Sequence, residues 1–239
     1  MKFFDSNGIV INKKDFGEAD RYITIFTETF GKVNVIVKGI RKSKRREQSS
    51  TDILALSKFT FYKKGENFIL SNLITIDSFS EIKENIDVLG IGLYITSVLN
   101  SILVDNNRKK ELFSLTLKTL NFLKKSNDEK KNYILTAFYL FKVIKDEGLG
   151  FSFGEGYCFS FERSTFLIEG TEGFFKISPG EKEIVEKFMN GKVKSIIEEE
   201  YSIKEIKNII LLFERYLNFH LGIELKLKNY LMGDRKSVV

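Results

Sequence analysis

The apolar residues of this chain change their spacing once, near Ser80, and that change limits the folds open to it. Upstream they recur at every second position. Val33, Val35 and Val37 alternate with Lys32, Asn34 and Lys38, Ile23 and Ile25 with Tyr22, Thr24 and Phe26, and Phe59 and Phe61 with Lys58, Thr60 and Tyr62. A period of two carried by β-branched and aromatic residues belongs to strands with one buried face. Ser6 to Ile11 and Phe68 to Ile76 extend the set to about five strands in about 75 residues. A charged turn is expected at Lys13-Lys14-Asp15. Glycine-bearing turns are expected at Phe16-Gly17-Glu18, Phe30-Gly31-Lys32 and Lys64-Gly65-Glu66-Asn67. Five strands in this length suit a small barrel of the OB type, whose strand face and loops bind single-stranded nucleic acid. An SH3-like barrel has the same periodicity.

Beyond Ser80 the period becomes helical. Ile82, Ile86, Leu89, Leu93, Val98 and Ile102 predict one long helix or two over residues 81–104, and Leu112 to Leu123 a second segment. Ser126-Asn127-Asp128-Glu129 reads as a capping box opening a third, which Gly148 ends. From 148 to 178, glycines punctuate alternating aromatics and predict a strand-and-turn insertion. Ser178-Pro179-Gly180-Glu181 and Ser202-Ile203-Lys204-Glu205 then carry the cap residues of two more helices, the last ending near Leu221-Gly222. The expected architecture is α+β with two domains. A five-stranded OB-fold β-barrel occupies 1–80, and a mainly α-helical domain with a small strand-rich insertion occupies 81–239.

Charge adds a direction to this plan. The net charge is +6, and residues 1–80 hold 14 Lys and Arg against 9 Asp and Glu, a net +5. Five of the six residues from Arg41 to Arg46 are cations: Arg41, Lys42, Lys44, Arg45 and Arg46. Such a run cannot bury itself without losing hydration, so it is expected as an exposed loop between strands that contacts a polyanion. These five are the foremost candidates for phosphate contacts. Arg21, Lys32 and Lys38 are grouped with them, and Lys13 and Lys14 are weaker candidates; Tyr22 or Phe26 would stack a base if exposed, but as aromatics of a strand they are expected first as core residues.

Other classes find less support. The longest apolar run, Val88 to Ile95, is too short to span a bilayer, and Met1-Lys2-Phe3-Phe4-Asp5 meets a charge too early for a signal peptide. The single cysteine, Cys158, excludes an intramolecular disulfide and fits a reducing, cytoplasmic setting. No P-loop or GxSxG motif appears, so an enzyme is not expected. Glu198-Glu199-Glu200 reads as an exposed helix surface, and His220 as a helix-end residue. An RNA-binding OB module and a non-catalytic protein-interaction adaptor stay open, and a nuclease built on Asp15, Glu18 and Asp20 is the least supported.

Four segments together carry a family resemblance. Gly8-Ile9-Val10 precedes Gly17-Glu18-Ala19-Asp20-Arg21; Ile25-Phe26-Thr27 with Gly31-Lys32 follows; then comes Val37-Lys38-Gly39-Ile40-Arg41-Lys42. Far downstream lie Arg215-Tyr216-Leu217, His220-Leu221-Gly222 and Leu225-Lys226. In order and spacing the chain resembles the bacterial recombination mediators of the RecO family. The resemblance implies an N-terminal OB-fold, binding of single- and double-stranded DNA, annealing of complementary strands, and a nucleoid-associated cytoplasmic location. It also implies interaction with RecR and with the acidic C-terminal tail of single-stranded-DNA-binding protein, for which Arg215 is the candidate contact, and help in loading RecA. Arg215 pairs either with that tail or with Glu214 or Glu205. Many members carry a four-cysteine zinc ribbon in the insertion. Here Cys158 stands alone, Phe161 takes the place of its CxxC partner, and no zinc or other cofactor is expected. Phe151, Phe153, Tyr157, Phe159 and Phe161 are expected to fill the space by packing.

Overall fold

A computed structural model describes residues 2–43, 48–64, 67–168 and 174–231. The chain forms two compact units, one of Met1–Lys125 with the chain from Lys228 onward, the other of Ser126–Leu227.

The first unit is built on five strands, β1 (Phe3–Phe16), β2 (Asp20–Thr27), β3 (Gly31–Val37), β4 (Leu56–Lys64) and β5 (Asn67–Asp77). They close into a barrel in the order β1-β2-β3-β5-β4, the expected OB-fold. All pairs are antiparallel except β3 with β5, where Val35 and Ile36 lie opposite Phe68 and Ile69. The core is filled by the inward rows that alternation marks, among them Ile23 and Ile25, Val33, Val35 and Val37, and Phe59 and Phe61. The expected turn at Lys13-Lys14-Asp15 is not there, because β1 runs on to Phe16. A register shift between Val10 and Asn12 lets Ile9, Val10 and Ile11 all be buried. The strand then resumes with Lys13, Lys14 and Asp15 opposite Ile23, Tyr22 and Arg21. The reversal comes instead at Gly17, whose φ of 56° suits glycine.

Three helices complete this unit: α1 (Ser80–Glu84), α2 (Ile86–Ile102) and α3 (Lys110–Leu123). The first two are separate because the Asn85 side chain accepts from the backbone N–H groups of Asp87 and Val88, starting a new helix. They cover one end of the barrel's outer surface. Phe26 packs edge-on against Phe113 of α3, ring centroids 5.3 Å apart. Gly90 lies so close to Tyr230 that a Cβ would stand 2.3 Å from its carbonyl oxygen.

The second unit comprises α4 (Glu129–Asp146), a sheet of β6 (Cys158–Ser160), β7 (Thr165–Leu167) and β8 (Phe175–Lys176) in the order β7-β6-β8, then α5 (Pro179–Met189), α6 (Val193–Glu198) and α7 (Ile203–Leu221). Asp128, not Ser126, caps α4, accepting from Lys131 N. Both other capping boxes form as the sequence predicts, on Ser178 with Glu181 and Ser202 with Glu205. Gly222, at φ 63°, ends α7. Among the described residues no helix is long and apolar enough to cross a membrane.

Candidate nucleic-acid interface

Strand parity decides which side chains of the barrel reach solvent. Arg21 has the parity of Ile23 and Ile25, and it lies inside, only 6% exposed. Its Nε donates to Asp15 at 2.8 Å and its Nη1 to Thr51 Oγ1 at 2.9 Å, with Asp52 at 3.5 Å. The Arg21 hydrogen bond holds the Asp15 carboxyl below its ordinary pKa, with charge from Arg21, Arg41 and Lys13 adding to it. Arg21 is therefore committed to the mouth of the barrel and does not present its charge to a ligand. Lys13, by contrast, is exposed, although it pairs with Asp52 at 2.5 Å.

The outward row behaves differently at its two ends. Near the helices, Phe26 is fully buried, and the Lys32 ammonium donates to the carbonyls of Asn100 and Leu103 at 2.9 and 3.3 Å. A cation is well placed against the free carbonyls where α2 ends. Lys32 is thus a fastener between barrel and helix, and Phe26 a core residue. At the other end Lys14 and Phe16 are exposed and Tyr22 is half-buried. Phe16 is 56% exposed and packs edge-to-face with Tyr22 at 5.1 Å. Alternation did not single out Phe16, because it sits beside a turn where parity no longer implies burial.

The start of the basic segment, through Lys42, lies against this end. Gly39, in the left-handed conformation at φ 65°, turns the chain out of β3 into a short 3-10 turn over Ile40–Lys42. Asp20 accepts from Gly39 N at 2.7 Å, so its partner is this turn and not the neighbouring Arg21. Ile40 is buried as an anchor. Arg41 N donates to Ala19 O at 3.0 Å and Arg41 Nη1 to Gly17 O at 2.9 Å. Lys42 reaches Glu18 at 2.7 Å, in a pair whose side chains remain 62% and 88% exposed. Such a pair adds little stability and leaves the ammonium available. Arg41, Lys42 and Lys38 are exposed. Lys44, Arg45 and Arg46 lie outside the described residues.

In the second unit, Arg215 is exposed on α7, its guanidinium carbon 5.4 Å from the Phe175 ring centre, with exposed Leu211 and Phe219 one turn to either side. Neither acidic neighbour is its partner among the described residues; Glu214 is buried and accepts from Leu227 N at 2.5 Å. A small apolar pocket of about 60 Å³, not foreseen in the sequence, lies between Phe141, Ile144, Lys145, Leu149, Phe151 and Met189. Arg215 does not line it; the cation there is Lys145. His220, in the last turn of α7, brings Nε2 within 3.1 Å of Phe161 O. Glu198 closes α6, but Glu199 and Glu200 lie beyond the helix, and Glu199 pairs with Lys187.

The described residues at the position of a zinc ribbon do not fit a metal. Cys158 is buried in β6, and among the described residues no three His, Cys, Asp or Glu side chains gather as ligands would. The space is aromatic. Phe159 packs on Phe151, Phe161, Phe166 and Tyr216 at 4.9 to 5.7 Å. A protein cation sits beside this cluster. Lys182 donates to the carbonyls of Gly154 and Gly156 at 2.6 and 3.0 Å, and its ammonium is 5.3 to 5.8 Å from the Phe153, Tyr157 and Phe166 rings. Tyr157 thus serves as a wall for Lys182 and remains partly exposed.

A closed OB barrel with a basic turn at its open end, joined in sequence to a helical unit with a three-stranded insertion, defines the class of the protein. The family model for the recombination protein O N terminal matches residues 1–79, and that for its C terminal matches 83–229. The chain belongs to the recombination protein O family. It is 26% identical to the DNA repair protein RecO of Acetivibrio thermocellus, over 98% of this chain and 96% of that one, so the likeness runs through both units. It is 28% identical to the DNA repair protein RecO of Clostridium novyi over 64% of this chain and 59% of the relative. For the DNA repair protein RecO of Caldicellulosiruptor saccharolyticus the identity is 29%, over 58% and 60%.

Proposed function

We propose that this chain is a DNA-binding recombination mediator acting in DNA repair, without a catalytic step of its own. It binds single- and double-stranded DNA through the barrel, anneals complementary strands and, with RecR, helps RecA load onto strands coated by single-stranded-DNA-binding protein. The observation that carries the reading is the position of Arg41 and Lys42, exposed cations tied to the β1–β2 turn of an OB barrel. Phosphate contacts from such residues give affinity without sequence preference. Lys38 and the three cations at 44–46 extend the same basic sequence.

The acidic tail of single-stranded-DNA-binding protein is assigned to the second unit. Two features there suit an acidic peptide with an apolar end: Arg215 between exposed Leu211 and Phe219, and the apolar pocket with Lys145 among its lining residues. The test of the whole reading is a strand-annealing assay with complementary oligonucleotides, bare and coated with single-stranded-DNA-binding protein. The reading expects faster annealing in both cases. Annealing no faster than the spontaneous rate would overturn it.

A further inference from the structure

We infer that Phe16 is a base-stacking residue that makes the barrel favour unpaired over duplex nucleic acid. The inference rests on the proposed DNA-binding role and assigns it a residue and a ligand class: a single strand with at least one unstacked base.

A single exposed apolar residue means little, since soluble proteins expose many. Phe16 differs in its surroundings. It is 56% exposed at the end of β1, and the Tyr22 ring meets it edge-to-face at 5.1 Å, so one neighbour orients the phenyl ring while more than half of it stays open. Lys14, exposed on the same strand, lies opposite Tyr22 in the ladder. On the other side Gly17, the next residue after Phe16, accepts from the Arg41 guanidinium at 2.9 Å, and Lys42 reaches Glu18. The open ring thus has Lys14 two residues before it on the same strand, and it adjoins the turn at Gly17 and Glu18 to which Arg41 and Lys42 are tied. Cations along a groove hold the backbone, and an aromatic face between them accepts a base; this pairing is the general means by which proteins hold single strands. A duplex keeps its bases stacked on one another, so it meets the cations and gains nothing from the ring.

The far end of the same outward row gives the contrast. Phe26 there is covered by Phe113, and Lys32 is spent on helix carbonyls. A second exposed aromatic, Phe3, packed on Tyr62 at 5.8 Å, has similar exposure but, among the described residues, no tie to the Arg41–Lys42 turn. It serves as a matched control.

The experiment measures full-chain affinity for a thymidine oligonucleotide and for a duplex of equal length over a salt series. Phe16→Ala is expected to lower single-strand affinity by about tenfold, a typical loss for one base–aromatic stack. Duplex affinity and both salt slopes stay unchanged, and Phe3→Ala is without effect. The chain has no tryptophan, so Phe16→Trp introduces one indole, whose fluorescence is expected to be quenched by the oligonucleotide. Unchanged single-strand affinity in Phe16→Ala, equal losses on single strand and duplex, or an equal loss from Phe3→Ala would each overturn the inference. A wild-type chain that binds neither probe would instead remove the DNA-binding reading on which it rests.

Discussion

Arg21 and Asp15 face each other across the β1–β2 ladder, with the guanidinium Nε 2.8 Å from the carboxylate. The arginine is buried and the aspartate half-exposed. Arg21 also reaches Thr51 and Asp52, so it ties the β1–β2 ladder to residues 51 and 52 next to the turn on which Arg41 rests. Arg21, expected from the sequence as a DNA contact, is thus part of the frame beneath the proposed contacts.

Arg21→Ala should lower stability by about 2 kcal/mol, the loss expected when charged hydrogen bonds to a nearly buried guanidinium are removed. The pH dependence has a definite sign. Asp15 has a depressed pKa in the folded state, so its contribution is present above the ordinary carboxylate pKa and fades as pH falls through the depressed value. Urea melts at neutral and acid pH should show wild type losing stability on acidification more steeply than Arg21→Ala. Equal slopes would mean that the ion pair does not link folding to pH.

Much of this arrangement could be read from residue order. The five strands, the closed barrel, the inward rows and two capping boxes follow from periodicity and cap chemistry. Even the burial of Arg21 was available, since it shares the parity of Ile23 and Ile25. What alternation could not supply was the covering of the outward face. Nothing local to Phe26 or Lys32 says that α3 and the end of α2 lie over them, and nothing local to Phe16 says that no helix covers it. The same limit applies to the Lys182 site. A lysine in a helix reads as solvated surface until the fold brings two glycine carbonyls and three rings around it.

The insertion should behave as an aromatic core and not as a metal site. Phe159→Ala should destabilise the second unit by about 3–5 kcal/mol, through lost burial and the cavity left among Phe151, Phe166 and Tyr216. A strong chelator should leave the melting temperature of the wild-type chain unchanged. A melt lowered by chelator and restored by zinc would contradict this packing account.

The acidic-tail assignment separates two surfaces. A labelled peptide with acidic residues followed by a C-terminal phenylalanine should bind the full chain. Lys145→Glu should weaken it if the apolar pocket holds the phenylalanine, and Arg215→Glu if the Leu211–Phe219 stripe does. A charge reversal at the contacted rim is expected to cost about 1 kcal/mol or more, roughly fivefold in affinity. Binding unaffected by either change would place the tail elsewhere.

The turn anchored on Gly17, Glu18 and Ala19 is proposed to present cations to DNA phosphates. The decisive measurement is the salt dependence of DNA affinity with Arg41, Lys42, Lys44, Arg45 and Arg46 all changed to alanine. The slope of log affinity against log salt is about −0.7 per neutralised phosphate for a single strand. Loss of three contacts should therefore flatten it by roughly 2. The loss should be the same for unrelated base sequences, since phosphates carry no sequence information. Arg41 and Lys42 are exposed, and substitutions at exposed positions change stability by only about 0.5 kcal/mol each, so the melt should move little. The slope should flatten while the variant stays folded; a folded variant with an unchanged slope would mean that these cations do not meet the phosphates.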